Sequence, residues 1–196
     1  MSSSQGTSGG LSDWPSLGSL SDSPPDTLVR SRESSEAFQK LFTAALELLS
    51  RREHSCHELR QKLLPKHPDA DFDGVLLRLQ ELNYQSDQRF AEVFCRSRVQ
   101  RGQGPLRIRQ ELQLRGVRSV LVQTAMEQLQ EDVDWYQLAL EQLQRKFRQR
   151  IDPALPWATQ QKERARRHRY LAYRGFFTDA IQFALAELDT AGDAAP

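Results

Sequence analysis

The chain has 196 residues, 38% hydrophobic and 27% charged, with a formal net charge of +1 and two cysteines, Cys56 and Cys95. That length supports one or two domains that need no disulfide staple, and so few thiols suit a reducing compartment. No uncharged apolar run approaches the roughly 18 residues of a membrane span. The first arginine is Arg30, so no basic signal leader is expected, and Ser2 is incompatible with myristoylation. Membrane proteins, small secreted toxins and collagen-like chains are thereby excluded.

The charge is unevenly spread. Residues 96–174 carry 17 Lys and Arg against 8 Asp and Glu, a net of +9, while the rest carries 10 against 18, a net of −8. Such a split suits a basic face presented to nucleic acid or to an acidic protein surface.

Residues 1–35 include twelve Ser, four Gly and three Pro. They bury too little to offset their ordering entropy and are expected to form a disordered tail. Beyond it, apolar residues recur at helical spacing. A first helix is expected from Ser35 as N-cap, with Glu36 in its first turn and Phe38, Leu41, Phe42, Ala45 and Leu48 inward. The second starts at Ser55-Cys56-His57-Glu58, a capping box, buries Leu59 and Leu63, and stops before Pro65. The third runs from Asp71 to Leu82 on a stripe of Phe72, Val75, Leu79 and Leu82.

Ser86 opens a fourth helix carrying Phe90, Val93, Phe94 and Val99. Gly102-Gln103-Gly104-Pro105 reads as a helix-to-helix turn, with Pro at a first helical position. The fifth helix holds Leu106, Ile108 and Leu112 and ends at Arg115-Gly116, where Gly supplies a left-handed cap. Ser119 opens a sixth with Val122, Ala125, Met126 and Leu129. Trp135, Ala139, Leu140, Leu143 and Phe147 mark a seventh. A loop with Asp152-Pro153 and Leu155-Pro156 leads to an eighth, over about Gln160 to Tyr173, that Gly175 ends. Thr178 opens a ninth with Ile181, Ala184, Leu185 and Leu188 inward, and residues 190–196 are expected to fray.

The scheme repeats. Glu58-Leu59-Arg60-Gln61-Lys62-Leu63 matches Arg107-Ile108-Arg109-Gln110-Glu111-Leu112 at an offset of 49. Leu112-x-x-Arg115-Gly116-Val117 matches Leu171-x-x-Arg174-Gly175-Phe176 at an offset of 59, the extra ten residues falling in the longer loop. The expected fold is all-α: three tandem three-helix, helix-turn-helix-like units over 36–85, 86–131 and 132–189, forming an elongated, curved array.

Catalytic and metal motifs are missing. His57-Glu58 starts like HExxH, but Gln61 occupies the second ligand position, and His54, Cys56 and His57 lack further ligands at compatible spacing. There is no Walker loop and no GxSxG elbow. No enzyme, metal or cofactor is expected.

The basic residues carry more information. Arg96, Arg98 and Arg101 end the fourth helix, with Arg107, Arg109, Arg115 and Arg118 beyond; Arg145, Lys146, Arg148 and Arg150 end the seventh; Lys162, Arg164, Arg166, Arg167 and Arg169 fill the eighth. On a helical wheel Lys162, Arg166 and Arg169 share one face with Tyr173, a face with no apolar duty. Arg predominates over Lys, which suits bidentate pairing with carboxylate or phosphate. The candidate contacts are therefore Arg96, Arg98, Arg101, Arg107, Arg109, Arg115, Arg145, Lys146, Arg148, Lys162, Arg164, Arg166, Arg167 and Arg169. Trp135, Tyr136, Tyr170 and Tyr173 are expected mostly in core or interface, which argues against a base-stacking platform.

Five segments resemble the RecX family, regulators of the bacterial RecA recombinase. They are Arg52-Glu53-His54-Ser55-Cys56-His57-Glu58-Leu59 with Lys62-Leu63; Leu79-Gln80-Glu81-Leu82-Asn83-Tyr84-Gln85-Ser86-Asp87-Gln88-Arg89-Phe90-Ala91; Arg101-Gly102-Gln103-Gly104-Pro105 with Ile108 to Leu112; Leu114-Arg115-Gly116-Val117; and Tyr173-Arg174-Gly175-Phe176. The resemblance spans roughly 37–188; the Ser-rich leader and the loop at 148–157 depart from it. It implies a crescent of three helical units that binds RecA and lies along the RecA–single-stranded DNA filament. It further implies restraint of filament growth, ATP hydrolysis and strand exchange without catalysis, in the bacterial cytoplasm, by a monomer that touches no membrane. Direct binding of single- or double-stranded DNA is a further implied contact. The alternative is a helical-repeat protein that binds single-stranded nucleic acid by itself. The repeated words, built on Ser55, Gly104, Pro105, Gly116 and Gly175, are caps and turns that specify fold and are poor candidates for contacts.

Overall fold

A computed structural model describes residues 25–190, with side chains from Ser35 onward. These residues form nine α-helices in chain order: α1 Pro25–Arg51, α2 Cys56–Leu63, α3 Phe72–Glu81, α4 Asp87–Gln100, α5 Pro105–Leu114, α6 Ser119–Asp132, α7 Trp135–Phe147, α8 Trp157–Arg174 and α9 Thr178–Thr190. Among the described residues there is no strand. Pro65 does not end the second helix abruptly; a 3-10 turn over Leu64–Lys66 carries the chain past it.

Three cores line up in chain order. Leu41, Ala45, Leu59, Leu63, Phe72, Val75 and Leu79 form the first. Phe90, Phe94, Ile108, Leu112, Val122, Met126 and Leu129 are among the members of the second, and Leu140, Leu143, Leu171, Phe176, Ile181 and Leu185 of the third. Within each unit the first and third helices pair (α1 with α3, α4 with α6, α7 with α9) and the middle helix packs across them. Leu59, Ile108, Leu112 and Leu171, the apolar positions of the repeated words, are fully buried. Truncating any one to Ala should cost about 2–5 kcal/mol. Trp135 joins two cores, packing partly buried against the second and the third.

The first helix corrects the expectation at Ser35. It begins at Pro25, and Ser35 and Glu36 lie exposed inside it. Pro25 is well placed at a first helical position, and no Gly or Pro interrupts residues 26–51. The serines that read as tail cost a helix only about half a kcal/mol each. The rest of the expected tail, residues 1–24, lies outside the described residues, as do residues 191–196.

Several caps form as their residues dictate. The Ser55 hydroxyl accepts from the Glu58 N–H at 3.1 Å, Ser86 caps α4 through the Arg89 N–H, and Asp134 caps α7 through two amides. The capping box at Ser55 is only half made, because the Glu58 carboxylate turns to arginines.

Candidate functional site

The repeated words meet one another in space. Between the first and second units, the Ser55 hydroxyl donates to the Arg115 carbonyl at 2.7 Å. Glu58 lies between Arg52 at 2.8 Å and Arg115 at 3.3 Å. Glu53 pairs with Arg89 at 2.5 Å, and the Cys56 N–H donates to Asp87 at 2.8 Å. Between the second and third units two backbones pair directly, with arginine side chains beside them. The Gly104 N–H donates to the Arg174 carbonyl at 2.8 Å, and the Leu106 N–H to the Gly175 carbonyl at 3.0 Å. The Arg174 guanidinium donates to the carbonyls of Arg101 and Gly102, both at 2.9 Å.

These joints consume part of the expected basic surface. Glu111 holds Arg98 at 2.9 Å, Arg107 at 3.0 Å and Arg115 at 3.7 Å, and Gln103 donates to it at 3.1 Å. Burial pushes its carboxyl up, but Arg107, Arg98, Gln103 and Arg115 together outweigh burial and hold it below the usual range. Arg98 and Arg115 also stand over the Phe94 ring, and Arg107 over the Tyr173 ring. Arg98, Arg107 and Arg115 are therefore braces between helices. Sequence spacing reveals the i,i+4 pairs of Glu111 with Arg107 and Arg115, but not the partners brought by other helices.

The third unit treats its arginines differently. Lys162, Arg166, Arg169 and Tyr173 all lie exposed on one face of α8. The only ion pair among the three cations is Arg166 with Glu163 at 3.5 Å, among the described residues. Arg164 faces Asp189 loosely at 3.7 Å. Arg167 departs from the expected surface: it is 5% exposed and lies against the Phe147 ring. Its guanidinium donates to the Gln149 carbonyl at 2.9 Å, and two of its nitrogens have no partner among the described residues. Burial lowers its pKa, opposed by Asp189 and Glu163, and an arginine so placed remains charged. Arg96, Arg101, Arg109, Arg145, Lys146 and Arg148 are exposed.

Of the aromatics, Tyr170 packs edge-on against Phe147, and the Tyr136 hydroxyl donates to Asp179 at 2.7 Å. Tyr173 is 76% exposed, yet its ring lies under Arg107 at the joint between the second and third units. Trp157, which opens α8 and which no motif singles out, is 73% exposed.

The polar residues around His54 are structural. His54 is buried, with Nδ1 3.0 Å from the Arg52 carbonyl and Nε2 3.0 Å from the Lys62 ammonium. Burial pushes the Cys56 thiol up to about 12 and the Cys95 thiol up to about 11, so neither is an activated nucleophile. Among the described residues, no group of three His, Cys, Asp or Glu side chains is placed to hold a metal ion. No helix among them is long and apolar enough to cross a membrane.

Three family models match in chain order: the first three-helix domain of RecX over 42–79, the second over 86–126 and the third over 132–185. Regulatory protein RecX of Legionella pneumophila (strain Corby) is 39% identical over 150 residues, covering 76% of this chain and 95% of the relative. Regulatory protein RecX of Halorhodospira halophila is 39% identical over 165 residues, covering 84% of this chain and 98% of the relative. A crystal structure of RecX from Lactobacillus salivarius is similar with a TM-score of 0.63 at 20% identity, over 80% of this chain and 99% of that one, a likeness of fold.

Proposed function

The chain belongs to the RecX family of regulatory proteins, and from that premise we propose that it binds RecA and the RecA–single-stranded DNA filament. In this reading it restrains filament growth, ATP hydrolysis and strand exchange, acting by contact and without chemistry of its own. DNA repair and recombination are the processes that go with the family. The protein works as a monomer in the bacterial cytoplasm and needs no cofactor.

The main support is the exposed stripe of Lys162, Arg166 and Arg169 on α8, cations that take no part in the joints between units; Arg166 also reaches over the Phe147 ring, and its one ion pair is with Glu163. A filament groove is long and lined by protein and phosphate. A line of units with separate cores can follow it, and several weak contacts then add up. Arg96, Arg101, Arg109, Arg145, Lys146, Arg148 and Arg164 extend the cationic surface, while Arg98, Arg107, Arg115 and Arg167 support it from within.

RecA ATP hydrolysis on single-stranded DNA tests this. Substoichiometric wild-type protein is expected to lower the rate. The triple variant Lys162→Glu, Arg166→Glu, Arg169→Glu is expected to lose most of that effect. Its melting temperature should stay within about 2 °C, since exposed charges contribute little to stability. An unchanged rate with the wild-type protein would sink the reading.

A further inference from the structure

Trp157 is 73% exposed, an unusual cost for the side chain with the most apolar area to hide. It opens α8 directly after the loop at 148–156 and belongs to none of the three cores. That loop holds its own shape: the Ala154 N–H donates to Asp152 at 2.8 Å, and the Gln160 amide donates to the carbonyls of Pro153 and Leu155 at 3.0 and 2.7 Å. Trp157 thus stands on an ordered cleft of about 290 Å³, whose walls also include Arg150, Ile151, Gln161, Arg164 and Asp189.

The surroundings favour an anion. Pro156 precedes α8 without a side-chain cap, and no acidic residue lies in the first turn, so the positive end of the helix is uncompensated beside Trp157. The Arg164 side chain is half-exposed and meets the cleft's carboxylate, Asp189, only at 3.7 Å, a loose contact that a phosphate can replace. Arg167, bonded to the Gln149 carbonyl at the start of the loop, is not a wall of the cleft, but it attracts Asp189 and so draws on the carboxylate that would otherwise oppose an anion there. An apolar peptide anchor would need a broader apolar wall than Ile151 and Pro153 supply. A flat ring next to a guanidinium suits a base and its phosphate.

We propose that this cleft binds an unpaired nucleobase of single-stranded nucleic acid, stacked on Trp157, with the adjoining phosphate at Arg164. What this adds to the filament reading is one cleft and a stacking contact for the direct nucleic-acid binding that the resemblance implies, and it is testable without RecA.

The full chain is titrated with labelled (dT)12, following anisotropy and indole emission. Wild-type protein is expected to bind with quenching. Trp157→Ala should weaken binding by between about fivefold and about a hundredfold, and Trp157→Phe should keep most of the affinity, since a smaller ring still stacks. Arg164→Gln should reduce the log–log salt slope by about 1. An abasic oligonucleotide of equal length should bind wild type as weakly as (dT)12 binds Trp157→Ala. Any of three results overturns the proposal: no binding by wild type, equal binding by Trp157→Ala, or equal binding of the abasic strand. Quenching by polyglutamate equal to that by (dT)12 would also overturn it and assign the cleft to an acidic protein segment. Intact oligonucleotide binding with no effect on RecA would strike the filament reading alone.

Discussion

The joint between the first two units and the joint between the last two occupy equivalent places in the repeat but are made of different groups. Ser55 and Gly104 correspond at the offset of 49, and Arg115 and Arg174 at the offset of 59. In one joint a hydroxyl meets the Arg115 carbonyl; in the other a backbone amide meets the Arg174 carbonyl. The first joint then adds carboxylate–arginine pairs through Glu53 and Glu58, whereas the second brings two backbones into contact. Repeats can thus keep a geometry while exchanging the chemistry that holds it. The side-chain joint becomes sensitive to protonation and polar deletion, and the backbone joint to volume.

The largest expected effect separates the two by volume. A Cβ at Gly175 would lie 2.4 Å from the Arg107 nitrogen, at a φ of +88°. Gly175→Val should therefore cost about 3–5 kcal/mol, combining left-handed strain with overpacking. At Gly116 the φ is +70°, and the Cβ would meet the His57 Cβ at 2.5 Å, a side-chain stem that rotation does not move, although no backbone atom is met. Gly116→Val should therefore cost somewhat less, about 2–4 kcal/mol. Urea midpoints at a common slope measure both, and equal losses would erase the distinction.

A middling effect tests the polar joint. Ser55→Ala removes both the bond to Arg115 and the α2 cap, and should cost about 1–2 kcal/mol in the same assay.

The smallest effect concerns pH. Burial lowers the His54 pKa below 6.5, helped by the charges of Arg52 and Lys62 and opposed by the Arg52 carbonyl and Glu58. The unfolded chain takes up the proton first, so this contribution is complete above pH 6.5 and is lost as pH falls through the depressed folded value. Glu111 acts in the same sense at lower pH: its held-down carboxyl stabilises the fold above 4.5 and ceases to do so on further acidification. Melting temperature should fall from pH 7 to pH 5, and His54→Gln should flatten that slope. A slope unchanged in the variant would remove His54 from the account.

The helices were legible because their causes are local. Ser86 and Asp71 cap, Pro105 starts, Gly175 stops, and stripes such as Phe72, Val75 and Leu79 face inward. The exposed face of α8 was legible for the same reason, since Lys162, Arg166 and Arg169 recur at helical spacing with no apolar residue among them. The start of α1 was not, because serine composition hid a proline-initiated helix. Neither was the exposure of Trp157, since nothing in the chain's periodicity says whether a tryptophan at a helix start finds a core.

Caps, prolines and apolar period act over about four residues, so the chain by itself determined the nine helices and their grouping in threes. Which arginines brace and which face outward was decided elsewhere. Arg115, the C-cap of α5, and Arg169, within α8, are the same residue type, yet one guanidinium pairs at 3.3 Å with Glu58 of another unit while the other stays exposed. An ion pair depends on a separation of a few ångströms between groups far apart along the chain, and only the packing of one unit against the next sets that distance.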